Sequence, residues 1–116
     1  MPILLVETNK DLDQDAAISA AKEFSTQAAE LLGKPEAFVQ AMVSPGKALV
    51  MGGTADPAVY AVLQSIGLAE SECSRLSEGL CKAFESVLGV PPARTYILFE
   101  DLVRGRVGWD SKTFAG

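Results

Sequence analysis

Pro2 stands second in the chain, ahead of the apolar run Ile3-Leu4-Leu5-Val6. Proline is small enough that removal of the initiator methionine is expected, which would leave a secondary amine held rigidly at the head of a strand. A free α-amine titrates at about 7.7 to 8.0 in water, and apolar surroundings or a nearby cation disfavour its charged form. An amine depressed in this way can act as a base near neutral pH. The plainer reading is that Pro2 only leaves a stable terminus. The chain contains no histidine, so triads built on imidazole, His-containing zinc sites and ordinary imidazole acid–base chemistry are all excluded. Proton transfer would need another group.

Few other residues offer chemistry. Lys34 is a candidate anion anchor, although a lysine at a helix C-terminus also meets the negative end of the helix dipole. Ser65-Ile66-Gly67 leaves a strand toward a helix, where a backbone amide is free to bind an anion; an ordinary connecting turn is the alternative. Tyr96, in an apolar strand, reads as a core or interface aromatic before it reads as a proton donor. Trp109 and Phe114 suit a pocket wall and an interface equally.

These residues acquire meaning only from the elements that carry them. Ile3 to Val6 is a continuous apolar run, as in a strand covered on both faces. Asp11 and Gln14 have capping-box spacing, and Ile18, Ala21, Phe24, Ala28, Leu31 and Leu32 recur at helical intervals until Gly33 and Pro35 stop the helix. Phe38 to Val43 reads as a second strand, Pro45-Gly46 as a turn, and Ala48 to Met51 as a short returning strand. Val59 to Leu63 begins again. A second helix carries Cys73, Leu76, Leu80, Phe84 and Val87 on one face and stops at Gly89 and Pro91-Pro92; Tyr96 to Phe99 is a strand, and Gly105 to Trp109 a short strand or turn.

A shift of 56 residues lays Leu32-Gly33-Lys34-Pro35 over Leu88-Gly89-Val90-Pro91, and Ile3 to Val6 over Val59 to Val62. The chain therefore reads as one domain over residues 1–116, α/β (α+β) in class, with pseudo-repeats over about 2–54 and 58–110. Two βαβ units would form a four-stranded mixed sheet, and the right-handed crossover rule puts both helices on one face. The other face, apolar and bare, would meet further copies of the chain, most simply in a closed ring. By this arrangement Pro2 lies at the open end of a central strand, with the helix C-termini near the level where the following strands begin.

Composition bounds the partners. A chain of 116 residues with 48% hydrophobic residues has an apolar excess suited to a subunit interface. Its formal charge of -5 and the lack of a Lys or Arg cluster disfavour nucleic acid. Cys73 and Cys81, eight apart on one helix and so about 12 Å apart, are too distant for a disulfide and read as small buried residues of a reducing compartment. No basic n-region and no long apolar run mark a signal peptide or a membrane span. The expected location is cytoplasmic, with unconventional export as the alternative, and no metal or cofactor is called for.

Taken together, Met1-Pro2 before an apolar strand, Thr8-Asn9, Gly33-Lys34-Pro35, Met51-Gly52-Gly53, Ser65-Ile66-Gly67, Pro92-Ala93-Arg94-Thr95-Tyr96-Ile97, Val107-Gly108-Trp109 and Thr113-Phe114-Ala115 resemble the macrophage migration inhibitory factor family of the tautomerase superfamily. The resemblance implies a homotrimer with sites at subunit boundaries. In it Pro2 would be the acid–base catalyst of keto–enol interconversion in an α-keto acid such as phenylpyruvate. Lys34 and the Ile66 amide, beside Ser65, would hold the carboxylate. Tyr96, Val107 and Leu98 would come from the neighbouring subunit, with Ile3, Phe38 and Phe114 nearby. Departures from the family pattern narrow this expectation. Leu98 stands for an asparagine and Phe38 for a tyrosine, so hydroxylated, dopachrome-like substrates are disfavoured. Ala58 and Ala61 replace the cysteines of a thiol-oxidoreductase element, and Gly46 replaces an acidic receptor-contacting residue, which weakens the alternative of a cytokine-like binding protein.

Overall fold

The computed structural model describes residues 1–116. Strand β1 (Pro2–Thr8) is followed by helix α1 (Gln14–Leu32), a 3-10 turn (Glu36–Phe38) and β2 (Gln40–Ser44). The order then repeats as β3 (Val59–Ile66), α2 (Glu70–Leu88), a 3-10 turn (Pro92–Arg94) and β4 (Thr95–Leu102). A third 3-10 turn (Arg104–Arg106) leads into the small hairpin of β5 (Gly108–Trp109) and β6 (Lys112–Thr113). The sheet order is β2-β1-β3-β4. Within each repeat the strands run parallel, and the two repeats meet antiparallel at β1 and β3. Both helices have 19 residues and lie 56 positions apart in the chain, as do the two 3-10 turns that follow them.

Local chemistry explains the shared helix stops. Gly33 and Gly89 occupy the left-handed region, with φ of 64° and 71°, where glycine alone pays no Cβ penalty. At the first stop the Lys34 N–H returns to the Ala29 carbonyl at 3.0 Å, so the chain leaves α1 in a fixed direction. Pro35 then holds φ at -62°, and a 3-10 turn precedes β2. For that reason Phe38 closes a turn, and the second strand begins at Gln40 rather than at Phe38 as the apolar run implied.

Alternation along β1 separates two faces. Pro2, Leu4, Val6 and Thr8 are buried beneath the helices, while Ile3, Leu5 and Glu7 are only partly covered. The core joins Leu4 and Val6 to Phe24, Ala28, Leu63, Leu76, Leu80, Phe84 and Val90. The Phe24 and Phe84 rings meet edge to face at 5.1 Å and tie α1 to α2. The stripe on α1 differs from the expected one: Ala17, Ala20, Phe24, Ala28 and Ala29 are buried, and Ile18 is 47% exposed. Small alanines let the helix lie close to the sheet, and Ile18 falls at the edge of that contact. On α2, Val87 is likewise exposed and Leu88 is the buried residue. Cys73 and Cys81 are half-buried rather than buried, because they flank the Leu76-Leu80-Phe84 stripe. Burial pushes the Cys81 thiol up and disfavours its thiolate, against an opposing hydrogen bond with Ser77 and with a smaller contribution from the Glu85 charge.

Helix α1 is capped by Asp13, whose Oδ1 accepts the Ala16 N–H at 2.8 Å, rather than by Asp11. The expected strand over Ala48 to Met51 does not form; a single bridge joins Met51 to Thr54. This connection is held instead by side chains. Asn9 Nδ2 donates to the Leu49, Ala55 and Asp56 carbonyls, and its Oδ1 accepts the Ala58 N–H. Arg94 donates to the Met51, Thr54, Asp56 and Pro57 carbonyls. No helix is long and apolar enough to cross a membrane.

Phe24→Ala should lower unfolding free energy by about 3–5 kcal/mol, because it empties a site with no solvent access. Ile18→Ala on the same helix should cost under about 1 kcal/mol. Urea unfolding of both variants checks the contrast, and equal losses would contradict the packing described.

Candidate active site

The head of β1 is enclosed on the helix side. Pro2 is fully buried and pairs with Ser65 across the antiparallel contact. Ser65 has no solvent-accessible surface. Lys34, aimed by the α1 stop, crosses to the end of β3, where its Nζ donates to Ser65 Oγ at 2.7 Å and to the Ile66 carbonyl at 2.6 Å. These charge-assisted bonds fix the ammonium away from the carbonyls at its own helix end. Gly67, at φ 74°, turns the chain directly afterwards, and the Leu68 N–H is held by Asp101 Oδ1 at 2.9 Å. Lys34 also borders a hollow of about 230 Å³ with Ser65, Gly67, Glu72 and Arg75.

The α-amine at this head, carried by Met1 in the structure, lies below its ordinary value. Burial is the main cause, followed by the charge and hydrogen bonding of Lys34 and then by the charge of Arg104. Each of these disfavours the ammonium form. An amine on Pro2 itself would sit one residue deeper, in a more enclosed place.

Phe38, Trp109 and Phe114 form a second group. Phe38 meets the Trp109 ring at 5.4 Å and the Phe114 ring at 6.2 Å, and Trp109 stacks on Phe114 at 5.5 Å. Ile3 pairs with Gln40, two residues beyond Phe38, so the cluster stands at the same end of the sheet as Pro2. Val107 belongs with it in the same chain: its carbonyl accepts the Phe114 N–H at 3.1 Å. Arg104 Nη1 donates to the Phe114 carbonyl at 3.2 Å.

Tyr96 and Leu98 stand elsewhere. Strand register puts Tyr96 beside Tyr60 and Glu7, and Leu98 beside Val62 and Leu5. Glu7 is five residues along β1 from Pro2, roughly 17 Å at about 3.4 Å per residue. Tyr96 borders a separate hollow of about 410 Å³ with Glu7, Val50, Met51 and Tyr60. Both side chains face the side of the sheet that no helix covers, where Met42, Leu5, Val62 and Leu98 line up in one apolar row across all four strands. Met42, Leu98 and Tyr96 are 58%, 48% and 64% exposed. One chain thus brings together Pro2, Ile3, Lys34, Ser65 and Ile66, with Phe38, Val107 and Phe114 at the same end, and leaves Tyr96 and Leu98 apart. Two contributors were missed by sequence reasoning. Asp101 gives no local signal. The Arg104-Gly105-Arg106 turn in an otherwise acidic chain was a visible but weak one.

An amine depressed by burial and two cations, beside an apolar aromatic wall, is suited to proton abstraction next to a carbonyl in an anionic molecule. The fold is the tautomerase/MIF-like one, and the sequence profile of "Macrophage migration inhibitory factor (MIF)" matches residues 1–115. The chain belongs to the macrophage migration inhibitory factor family. It is 35% identical over 116 residues to the macrophage migration inhibitory factor homolog of Brugia malayi, covering 98% of this chain and 99% of the relative. It is 31% identical to the rat factor, Rattus norvegicus, over 99% of this chain and 100% of the relative. The crystal structure of the homologue from Prochlorococcus marinus superposes with a TM-score of 0.89 at 35% identity, over 97% of this chain and 98% of the other.

Lys34→Met keeps most of the aliphatic stem and removes the cation, so the charged form of the amine is less disfavoured and its pKa should rise. Comparing the pH dependence of amine acylation in the variant and the parent checks the sign; an unchanged or lowered midpoint would contradict the arrangement.

Proposed function

We propose that this chain is a cofactor-free keto–enol tautomerase of small aromatic 2-oxo acids of the phenylpyruvate type, with the amine of Pro2 as acid–base catalyst after loss of Met1. The observation that carries the reading is the geometry at the head of β1, where Pro2 is fully buried and paired with Ser65, and Lys34 donates to that serine and to the strand end beside it. In the forward direction the neutral amine takes a proton from the carbon next to the ketone. The C–H electron pair forms the carbon–carbon double bond, and the ketone oxygen takes up a proton to give the enol. That proton is the one the amine took from carbon: the ammonium delivers it to the ketone oxygen as the C=O π pair moves onto that oxygen, so the neutral amine is regenerated, and the reverse direction retraces the same path. Lys34 anchors the substrate carboxylate, with the Ile66 amide beside it, and its charge disfavours the ammonium form of the amine.

The uncovered sheet face supports a homotrimer. Its apolar row of Met42, Leu5, Val62 and Leu98 is the kind of surface that a subunit contact buries. Tyr96 and Leu98, distant from their own Pro2, would complete the pocket of a neighbouring copy. An apolar Leu98 there favours a plain aromatic ring over a hydroxylated one.

Pro2→Gly, with its mature terminus verified by mass, should lower phenylpyruvate enol–keto interconversion by about 10²- to 10⁴-fold while the unfolding transition is retained. Parental turnover in that variant would sink the mechanism. Sedimentation should return three times the chain mass at micromolar concentration, whereas a monomer that turns substrate over would refute the shared pocket.

A further inference from the structure

Arg104 has no part in the proton transfer proposed above beyond its charge, the smallest of the causes that depress the amine, yet it is built into the same end of the sheet. Register places Leu102, the last residue of β4, beside Ile66, the carbonyl acceptor of Lys34. Two residues later Arg104 opens a 3-10 turn closed by the Arg106 N–H on the Val103 carbonyl at 2.8 Å. The bond from Arg104 to the Phe114 carbonyl occupies one guanidinium nitrogen and leaves most of the five N–H donors free. The ion pairs of the chain are Arg75–Glu72, Lys82–Glu78 and Lys112–Asp110; Lys34 and Arg104 belong to none of them. In a chain of net charge -5, two cations without carboxylate partners face one terminal amine. The aromatic cluster of Phe38, Trp109 and Phe114 stands beside Arg104.

We propose that Arg104 is a second anion anchor, and that the site prefers aromatic 2-oxo acids bearing a second carboxylate, one held by Lys34 and the other by the Arg104 guanidinium across the aromatic wall. The planar fork of an arginine pairs two N–H groups with a carboxylate, which a monoanionic substrate leaves unused. Any tautomerase turnover takes the 2-oxo carboxylate at Lys34. The second carboxylate selects among substrates and takes no part in proton transfer. This inference rests on the tautomerase reading for its kinetic test only.

The experiment compares phenylpyruvate with (4-carboxyphenyl)pyruvate in the parent protein, Arg104→Ala, Arg104→Lys and Arg106→Ala. Arg104→Ala should lower the ratio of kcat/KM for the carboxylated over the plain substrate by about 10- to 100-fold, the loss typical of one charged hydrogen-bonded pair. Arg104→Lys should restore part of it, and Arg106→Ala should leave the ratio at the parental value. A ratio unmoved by Arg104→Ala overturns the proposal. So does an equal fall on both substrates, which would mean that Arg104 holds the shared carboxylate or only supports the C-terminal segment. If the parent turns over neither compound, the tautomerase reading fails by itself. Quenching of Trp109, the chain's one tryptophan, by the same two compounds then decides: tighter binding of the dicarboxylate, lost in Arg104→Ala, sustains the second anchor, and equal binding overturns it.

Discussion

The ammonium of Lys34 is the constraint on which this end of the molecule depends. It spans from the end of α1 to the end of β3 and bonds a buried serine hydroxyl and a strand-end carbonyl. A charge so placed is tolerable only because both partners are fixed and because it remains open to an anion on its other side. The Gly33 stop gives it direction, Pro35 and the following 3-10 turn lead the chain back into the sheet, and the Asp101 contact at Leu68 stiffens the turn after β3. The proximity that matters for the amine therefore results from backbone termini that can hardly move independently.

Much of the frame was legible because it is written locally. Gly33 with Pro35 and Gly89 with the prolines after it stop their helices by backbone conformation alone, and the repeat they mark gives the strand order. Pro2, Lys34, Ser65 and Ile66 followed once that order put three element ends at one level. Other features depend on contacts between distant residues and left no pattern. Ile18 keeps the helical period yet falls at the edge of the contact between helix and sheet. Ala48 to Met51 has strand-like composition but no partner strand, and Asn9 and Arg94 hold its neighbourhood from 40 or more residues away in sequence. Arg104 lies outside every element legible in the sequence, because what it faces lies at the other end of the chain.

The aromatic group shows how a short tail takes part in a site. β5 and β6 contribute only two residues each, too few to be stable alone. Stacking of Trp109 on Phe114, with Lys112 Nζ 4.5 Å above the indole, anchors them to Phe38. The wall beside the amine is thus assembled from Phe38 and the last residues of the chain.

The 56-residue correspondence has a consequence for how the two halves have diverged. The positions matching Pro2 and Lys34 in the second half are Ala58 and Val90, which are 1% and 0% exposed. The equivalent head of β3 lies at the opposite end of the sheet, and there the counterpart of the lysine is a core valine packed with Phe84 and Leu88. A symmetric scaffold thus carries a single reactive pole: one half has retained the charge and the other has filled its place with hydrocarbon. Selection on the two halves should differ accordingly, by polarity at one end and by volume at the other.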